Sequence, residues 1–399
     1  MSEIMLKNIW LIVQILIGYN LVLPLILFVL YKLKGNYKFK NKTTGKAEAD
    51  YAIIVTAYEQ TYSLKSVVDS ILKLKYSNYL VYIVADKCDI SKLKFDDKRV
   101  IILRPEETLG SNTRSHFYAI NRFQRAHDRL TIIDSDNLVD SNYLNELNKL
   151  FDEGFIAVQG LRKAKNMDTT VACLDAARDM YYHFFDGEAL FDLGSSATLA
   201  GSGMAFTTAL YKECLEKLDI TGAGFDKVLQ NEIVGRGYRI AFTEKAIVYD
   251  EKTSNSDQLV KQRARWINTW FRYFKFGFTL AGKGIINFDW NRFLFGVVLL
   301  RPPLFIFLLL SLIFAATNIF ISISAVIIWI SAFFCFVLGF VIALVHAKPD
   351  KKVYASLVGI PKFIFFQVLS LMKIRKANKI SVATTHYHEQ GIDEVNKEP

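Results

Sequence analysis

Asp134 and Asp136 are two carboxylates one residue apart, flanking Ser135 and followed by Asn137. They come directly after Leu130, Ile132 and Ile133, which read as the end of a buried parallel strand. Ligands of open α/β sheets bind outside the carboxyl ends of the strands. Two carboxylates placed there can hold a divalent ion and leave it sites for a substrate phosphate. The plainer alternative is a loop pair that caps a helix over 139–151. The motif alone does not choose between them, so the surrounding elements must.

Those elements follow in order. Ala52-Ile53-Ile54-Val55 reads as a first strand, with Thr56-Ala57-Tyr58-Glu59 at its end and a helical pattern from Ser63 to Lys73. Leu80–Val84 is a second strand ending in Ala85-Asp86, Val100–Leu103 a third, and the run before Asp134 a fourth. Helical stretches between several of them predict right-handed βαβ units and a mostly parallel sheet. Further strands are expected at Phe155–Val158, just after Gly201-Ser202-Gly203, at Arg239–Phe242 and at Ala246–Tyr249. Long helices are expected over 168–190 and from about Asp226 to Gly235-Arg236-Gly237, where glycine suits a C-cap.

The ends of the chain are different. Hydrophobic residues make up 52% of the sequence, with 31 Phe, and they concentrate at the two ends. Residues 9–31 are long enough to span a bilayer, and the apolar runs 293–322 and 324–346 predict a membrane hairpin. Arg301-Pro302-Pro303 interrupts the first of these runs, so its membrane part is expected to begin near Leu304. Residues 353–373 are shorter, contain Pro361 and Lys362, and read as interfacial or re-entrant, with a further span as the weaker option. The net charge of +10 sits largely beside apolar segments, as in Lys32, Lys34 and Lys38, which favours a cytoplasmic membrane face over nucleic acid. From Asp257 to about Phe278, Trp266, Trp270, Phe271 and Phe274 alternate with Arg263, Arg265 and Arg272, the pattern of an amphipathic interface helix. Four scattered cysteines without a CxxC pair argue against a zinc site or disulfide framework.

Several short motifs stand in a fixed order: Thr56-Ala57-Tyr58-Glu59, Val84-Ala85-Asp86, Asp134-Ser135-Asp136, Gly201–Phe206, Asp226 ahead of Arg236-Gly237, and Gln262-Arg263-Ala264-Arg265-Trp266. Over about residues 50–285 this set resembles the membrane-bound glycosyltransferases of family 2, a group that includes cellulose, chitin, hyaluronan and poly-N-acetylglucosamine synthases. The resemblance implies an α/β fold of the GT-A type, Rossmann-like with a mostly parallel sheet, flanked by transmembrane and interfacial helices. It implies that Ala57, Tyr58, Glu59 and Asp86 bind the nucleotide, with Gln262 and Arg265 also on the nucleotide-sugar. Asp134 and Asp136 correspond to the DxD pair that grips the ribose and a Mg²⁺ or Mn²⁺ ion. Asp226 corresponds to the catalytic base, Arg265 to the group that neutralises the diphosphate, and Gly201, Ser202, Gly203 and Trp266 to an acceptor pocket. Two departures stand out: Phe225 replaces the usual neighbouring carboxylate, and Ser111 and Asn112 follow Gly110 where a lysine is common, leaving Arg114 to supply charge. Thr384-Thr385-His386 resembles a C-terminal Thr-x-His gate.

The expectation is therefore an N-terminal transmembrane helix (1–32), a cytoplasmic GT-A domain (33–285), a transmembrane hairpin (286–350) and an interfacial or re-entrant helix with a cytoplasmic tail (351–399). Its activity would be inverting, metal-dependent transfer from a UDP-sugar to a growing β-glycan at a bacterial-type inner membrane, in a processive synthesis open to partner subunits. Single transfer to a lipid acceptor is the alternative. A catalytically inactive scaffold homologue is a third reading, against which Asp134, Asp136, Asp226 and Arg265 all stand. Nucleic acid is not expected as a partner.

Overall fold

The structure is a computed structural model that describes residues 3–38, 48–374 and 390–395. The expected gate at 384–386 lies outside the described residues. Eight strands form one sheet: β1 (Tyr51–Tyr58), β2 (Tyr79–Asp86), β3 (Val100–Leu103), β4 (Arg129–Asp134), β5 (Leu138–Val139), β6 (Ala157–Ala164), β7 (Met204–Thr207) and β8 (Ala241–Asp250). Their order across the sheet is β3-β2-β1-β4-β7-β6-β8-β5. The helices α2 (Leu64–Leu72), α3 (Asn112–Ile120), α4 (Tyr143–Asp152) and α7 (Thr208–Leu215) belong to this domain, as does α8 (Phe225–Gly235). β2 is buried along its whole length, as a strand covered on both faces must be.

Register fixes the site. β1 runs parallel to β2 and β4, pairing Tyr58 with Asp86 and Thr56 with Asp134, so three strand ends open at one edge of the sheet. The sheet is mostly parallel, as expected, with six strands running one way and β5 and β7 the other. β7 lies antiparallel between β4 and β6, and β5 is antiparallel to β8. A four-residue strand after a glycine turn carries no directional signal, so only its partners set its sense. β7 pairs Met204 with Ile132, which brings Gly201-Ser202-Gly203 against the end of β4. The two strands expected at 239–242 and 246–249 are one strand, kinked where its register on β6 shifts between Gly160 and Leu161.

Outside the sheet domain, α1 (Glu3–Lys34) packs along α13 (Ile323–Ala347). The helix expected over 168–190 is present as α5 (Thr170–Tyr182), a π-helical segment at His183–Ala189 and α6 (Leu190–Asp192). It meets the long apolar helices in a second apolar core that includes Leu21, Phe185, Phe307 and Phe336. The amphipathic stretch breaks at Phe274 into α9 (Ser256–Tyr273) and α10 (Lys275–Ile286). α10 forms a close hairpin with α11 (Trp290–Leu300), where a Cβ on Gly284 would lie 2.4 Å from the Phe293 nitrogen. Arg301-Pro302-Pro303 bends the chain by 70° before α12 (Leu304–Asn318), since Pro cannot carry the helical hydrogen bonds on. α14 (Lys351–Ser356) and α15 (Ile360–Met372) follow, α15 lying against α9, and the described part of the tail ends in α16 (Ile392–Val395). Among the described residues, Glu3–Lys34, Ile323–Ala347 and Lys351–Met372 are long and apolar enough to cross a membrane, and the bent α11–α12 pair makes a fourth candidate.

Candidate active site

A cavity of about 950 Å³ opens at the carboxyl edge of β1 and β4. Tyr58, Asp134, Asp136, Gly201 and Asp226 line it, as do Gln262, Arg265 and Trp266 of α9. Residues from five distant parts of the sequence thus line one cavity.

The acidic pair is held from behind. Ser202 is fully buried; its Oγ accepts from the Asp134 backbone N–H at 3.0 Å and donates to Asn137 Oδ1 at 2.6 Å. The Asn137 amide in turn donates to Asp136 Oδ1 at 3.2 Å and to Asp250 Oδ1 at 3.3 Å. Gly203 is in the left-handed region (φ +66°), and a Cβ there would lie 2.7 Å from Val248. Ser202 and Gly203 therefore sit beneath the acidic loop and do not reach the cavity, whereas Gly201 does. Two strand-end carboxylates facing an open cavity supply the hard oxygen ligands that Mg²⁺ or Mn²⁺ prefers.

Asp226 lies in the first turn of α8, 3.1 Å from Lys227 Nζ, which also donates to the Leu199 carbonyl at 3.1 Å. The turn before it depends on Gly224 (φ +106°). A Cβ there would lie 2.6 Å from Tyr273 Cε2 and 2.7 Å from Thr269 Cγ2, so glycine lets the start of α8 close onto α9. That contact brings Asp226 beside the helix of Gln262, Arg265 and Trp266. Phe225, in place of a second carboxylate, is buried edge-on to His116 at 5.1 Å. Burial lowers the pKa of Arg265, because removal from water disfavours the charged guanidinium. A diphosphate beside it would offset that loss.

The remaining nucleotide candidates stand back from the cavity. Ala57 is in the core. Glu59 pairs with Lys87 at 2.7 Å, and its own backbone N–H donates to the Asp86 carbonyl. The Asp86 carboxylate accepts from the backbone N–H groups of Leu109 (3.0 Å) and Gly110 (2.8 Å), fixing the loop that leads to Asn112 on the cavity wall. Arg114 is held by Asp219 at 2.6 Å.

A network of buried ion pairs, most of whose members line the cavity, is not legible from the motifs. Asp250, at the end of β8, sits 2.7 Å from Arg162 and 2.6 Å from Lys252, whose charges keep its carboxyl well below the usual range despite burial. Lys252 also pairs with Asp179, Arg263 with Asp175, and Arg301 with Asp186. Arg263, one of the basic residues of the amphipathic pattern, is buried. The sequence held a signal for this: Leu259, Val260, Ala264 and Ile267 are the buried face of α9, and Arg263 falls on that face by helical period.

This sheet, with the cavity at its edge, is the GT-A fold, and the class it defines is that of glycosyltransferases acting on nucleotide-activated sugars. A family model described as "Glycosyltransferase like family 2" matches residues 49–269, and the chain belongs to that family. Among solved structures it is similar to a mannosyltransferase from Pyrobaculum calidifontis in complex with GDP-Man and Mn²⁺. That similarity has a TM-score of 0.58 and 14% identity, and covers 90% of this chain and 98% of the other. It is also similar, at TM-score 0.41 and 15% identity over 82% of this chain and 90% of the other, to residues 1–349 of S. aureus TarS in complex with UDP-GlcNAc. No curated protein matches the chain.

Proposed function

We propose that the protein is an inverting, metal-dependent glycosyltransferase whose GT-A domain faces the cytoplasm and takes a nucleotide-sugar, with UDP as the expected nucleotide. The single observation that carries this reading is the shared cavity wall of Asp134, Asp136, Asp226 and Arg265. Asp134 and Asp136 would hold Mg²⁺ or Mn²⁺, which neutralises the diphosphate as it leaves. Arg265 meets the same phosphates with a planar pair of donors. Asp226 takes the proton of an acceptor hydroxyl as its oxygen attacks the anomeric carbon from the side opposite the leaving nucleotide. One base suffices, so the aromatic Phe225 beside it removes nothing the step needs. Trp266 offers a flat apolar face to a sugar ring.

Two acceptors fit. The QxxRW motif with membrane spans favours the end of a growing β-glycan, extended processively as an exopolysaccharide. One observation favours a lipid: the cavity continues past Trp266 between the membrane helices, where Leu308, Leu312, Phe333 and Ile364 line it. A sugar chain would find few polar partners there. Membranes containing the protein, incubated with radiolabelled UDP-sugars and Mn²⁺, should give a labelled glycan or a labelled lipid. Absence of label in both phases with every donor would overturn the reading.

A further inference from the structure

A second pocket, of about 160 Å³, opens where β8 and the π-helical segment meet the end of α13. Glu188, Glu244 and His346 line it, one from each of those three elements. One ligand atom from each lies within 4.8 Å of the other two. None of the three belongs to the motifs of the transferase, and distant segments of the chain had to converge to bring them together.

The two inner members are held in place. Glu188 and His346 are partly buried, with side chains 14% and 32% exposed. The Tyr31 hydroxyl of α1 donates to Glu188 Oε1 at 2.8 Å, which fixes the carboxylate and leaves Oε2 against His346 Nε2, also at 2.8 Å. The His346 ring rests on Phe184, with ring centres 4.4 Å apart. An outer hydrogen bond that orients a ligating carboxylate is a regular part of metal sites. The Glu188–His346 contact is internal to the cluster, because the proton between those two atoms occupies the place a cation would take. Two buried cations of the pocket wall, Arg162 and Lys252, are matched by Asp250 and Asp179 and do not neutralise Glu188 and Glu244.

The backbone supplies an independent pointer. Glu188 is presented by the π-helical segment His183–Ala189, a rare geometry that is frequent at functional sites. Within that segment Asp186 lines the active-site cavity and pairs with Arg301, while Glu188, two residues on, lines the second pocket.

We propose that Glu188, Glu244 and His346 form a second divalent-metal site, distinct from the acidic pair of the active site and selective for Zn²⁺ over Mg²⁺. One imidazole and two carboxylates suit a first-row transition ion, whereas Mg²⁺ and Ca²⁺ prefer oxygen ligands alone. Two carboxylates and a neutral imidazole balance the charge of the ion. Ligand bonds of about 2.0–2.2 Å draw the three atoms together, mainly through rotation of the exposed Glu244 side chain. Three protein ligands leave a fourth position for water. The bound ion ties β8 and the π-helical segment to the end of α13, fastening the sheet domain to a helix long enough to cross a membrane. The site stands independently of the transferase reading.

The test uses full-length, tag-free protein in detergent, carrying Asp136→Ala to remove the active-site ion, with Zn²⁺ as the probe. Isothermal titration should give one Zn²⁺ per chain, bound at least a hundredfold more tightly than Mg²⁺. Zn²⁺ should also raise the melting temperature, since a ligand of the folded state stabilises it. His346→Gln and Glu244→Gln should each weaken Zn²⁺ binding at least tenfold and abolish that rise. Glu244→Gln leaves the Tyr31–Glu188–His346 hydrogen bonds in place, so it separates lost ligation from a disturbed fold. X-ray absorption at the zinc edge should show nitrogen and oxygen ligands only. Absence of binding, binding unaltered in both variants, or a zinc–sulfur distance of about 2.3 Å, which puts the ion on a cysteine, would overturn the site.

Discussion

Ser202→Ala separates a contact with the acceptor from support of the acidic pair. In the structure the Ser202 hydroxyl is fully buried, accepting from the Asp134 N–H at 3.0 Å and donating to Asn137 Oδ1 at 2.6 Å. Removing it strands one donor and one acceptor. At about 1–3 kcal/mol for each unsatisfied buried group, the folded state loses about 2–6 kcal/mol if neither finds a new partner. The Asn137 amide, which orients Asp136 at 3.2 Å, also loses its anchor. Loss of a group that orients a metal ligand typically weakens metal affinity about 10–100-fold. Isothermal titration of UDP at fixed Mn²⁺ concentrations would measure this, with Asp136→Ala marking complete loss of metal-dependent binding. The expected result is a half-saturating Mn²⁺ concentration raised at least tenfold, with the acceptor KM little changed. An unchanged Mn²⁺ dependence together with a raised acceptor KM would refute the supporting role and restore Ser202 to the acceptor pocket.

Two further outcomes follow from the packing around Asp226. Gly224→Ala forces a side chain into a positive-φ position and against Tyr273 and Thr269. The cost is roughly 1–2 kcal/mol for the backbone and roughly 1–3 kcal/mol for overpacking. Thermal denaturation should register it, turnover should fall more than UDP affinity, and adding Thr269→Ser, which deletes one of the clashing carbons, should recover part of both. His116 is fully buried, and burial pushes its pKa down to about 3. Below the unfolded value of about 6.5 the unfolded chain takes up a proton that the folded chain refuses, so stability falls as pH drops; at pH 5 the loss is about 2 kcal/mol. His116→Gln should flatten the fall in melting temperature between pH 7 and pH 5, and an identical fall in the variant would contradict it.

Local chemistry made part of this site legible in the sequence. Asp134 and Asp136 follow an apolar strand directly, Asp226 starts a helix that ends in glycine, and Gln262, Arg265 and Trp266 sit together on one helix. The long apolar helices were legible for a similar reason, because an apolar run of that length suits a membrane-crossing helix. What could not be read was pairing at a distance. Asp250 meets Arg162 and Lys252, and Asp175 meets Arg263, only because β6, β8, α5 and α9 converge. Asp86 lies at a strand end as expected, but its carboxylate is engaged by the Leu109 and Gly110 amides, and strand-end position alone says nothing of that loop. The direction of β7 likewise depends on its neighbours, and with it the place of Ser202 behind the acidic pair rather than in the cavity.

The role of Asp226 is tested most directly by measuring sugar transfer and UDP affinity in parallel for the wild type and for Asp226→Asn. Removing a general base costs about 10²–10⁴ in rate. Transfer should fall by at least a hundredfold while UDP binds with unchanged affinity. Turnover at the wild-type rate in Asp226→Asn would contradict the proposed base.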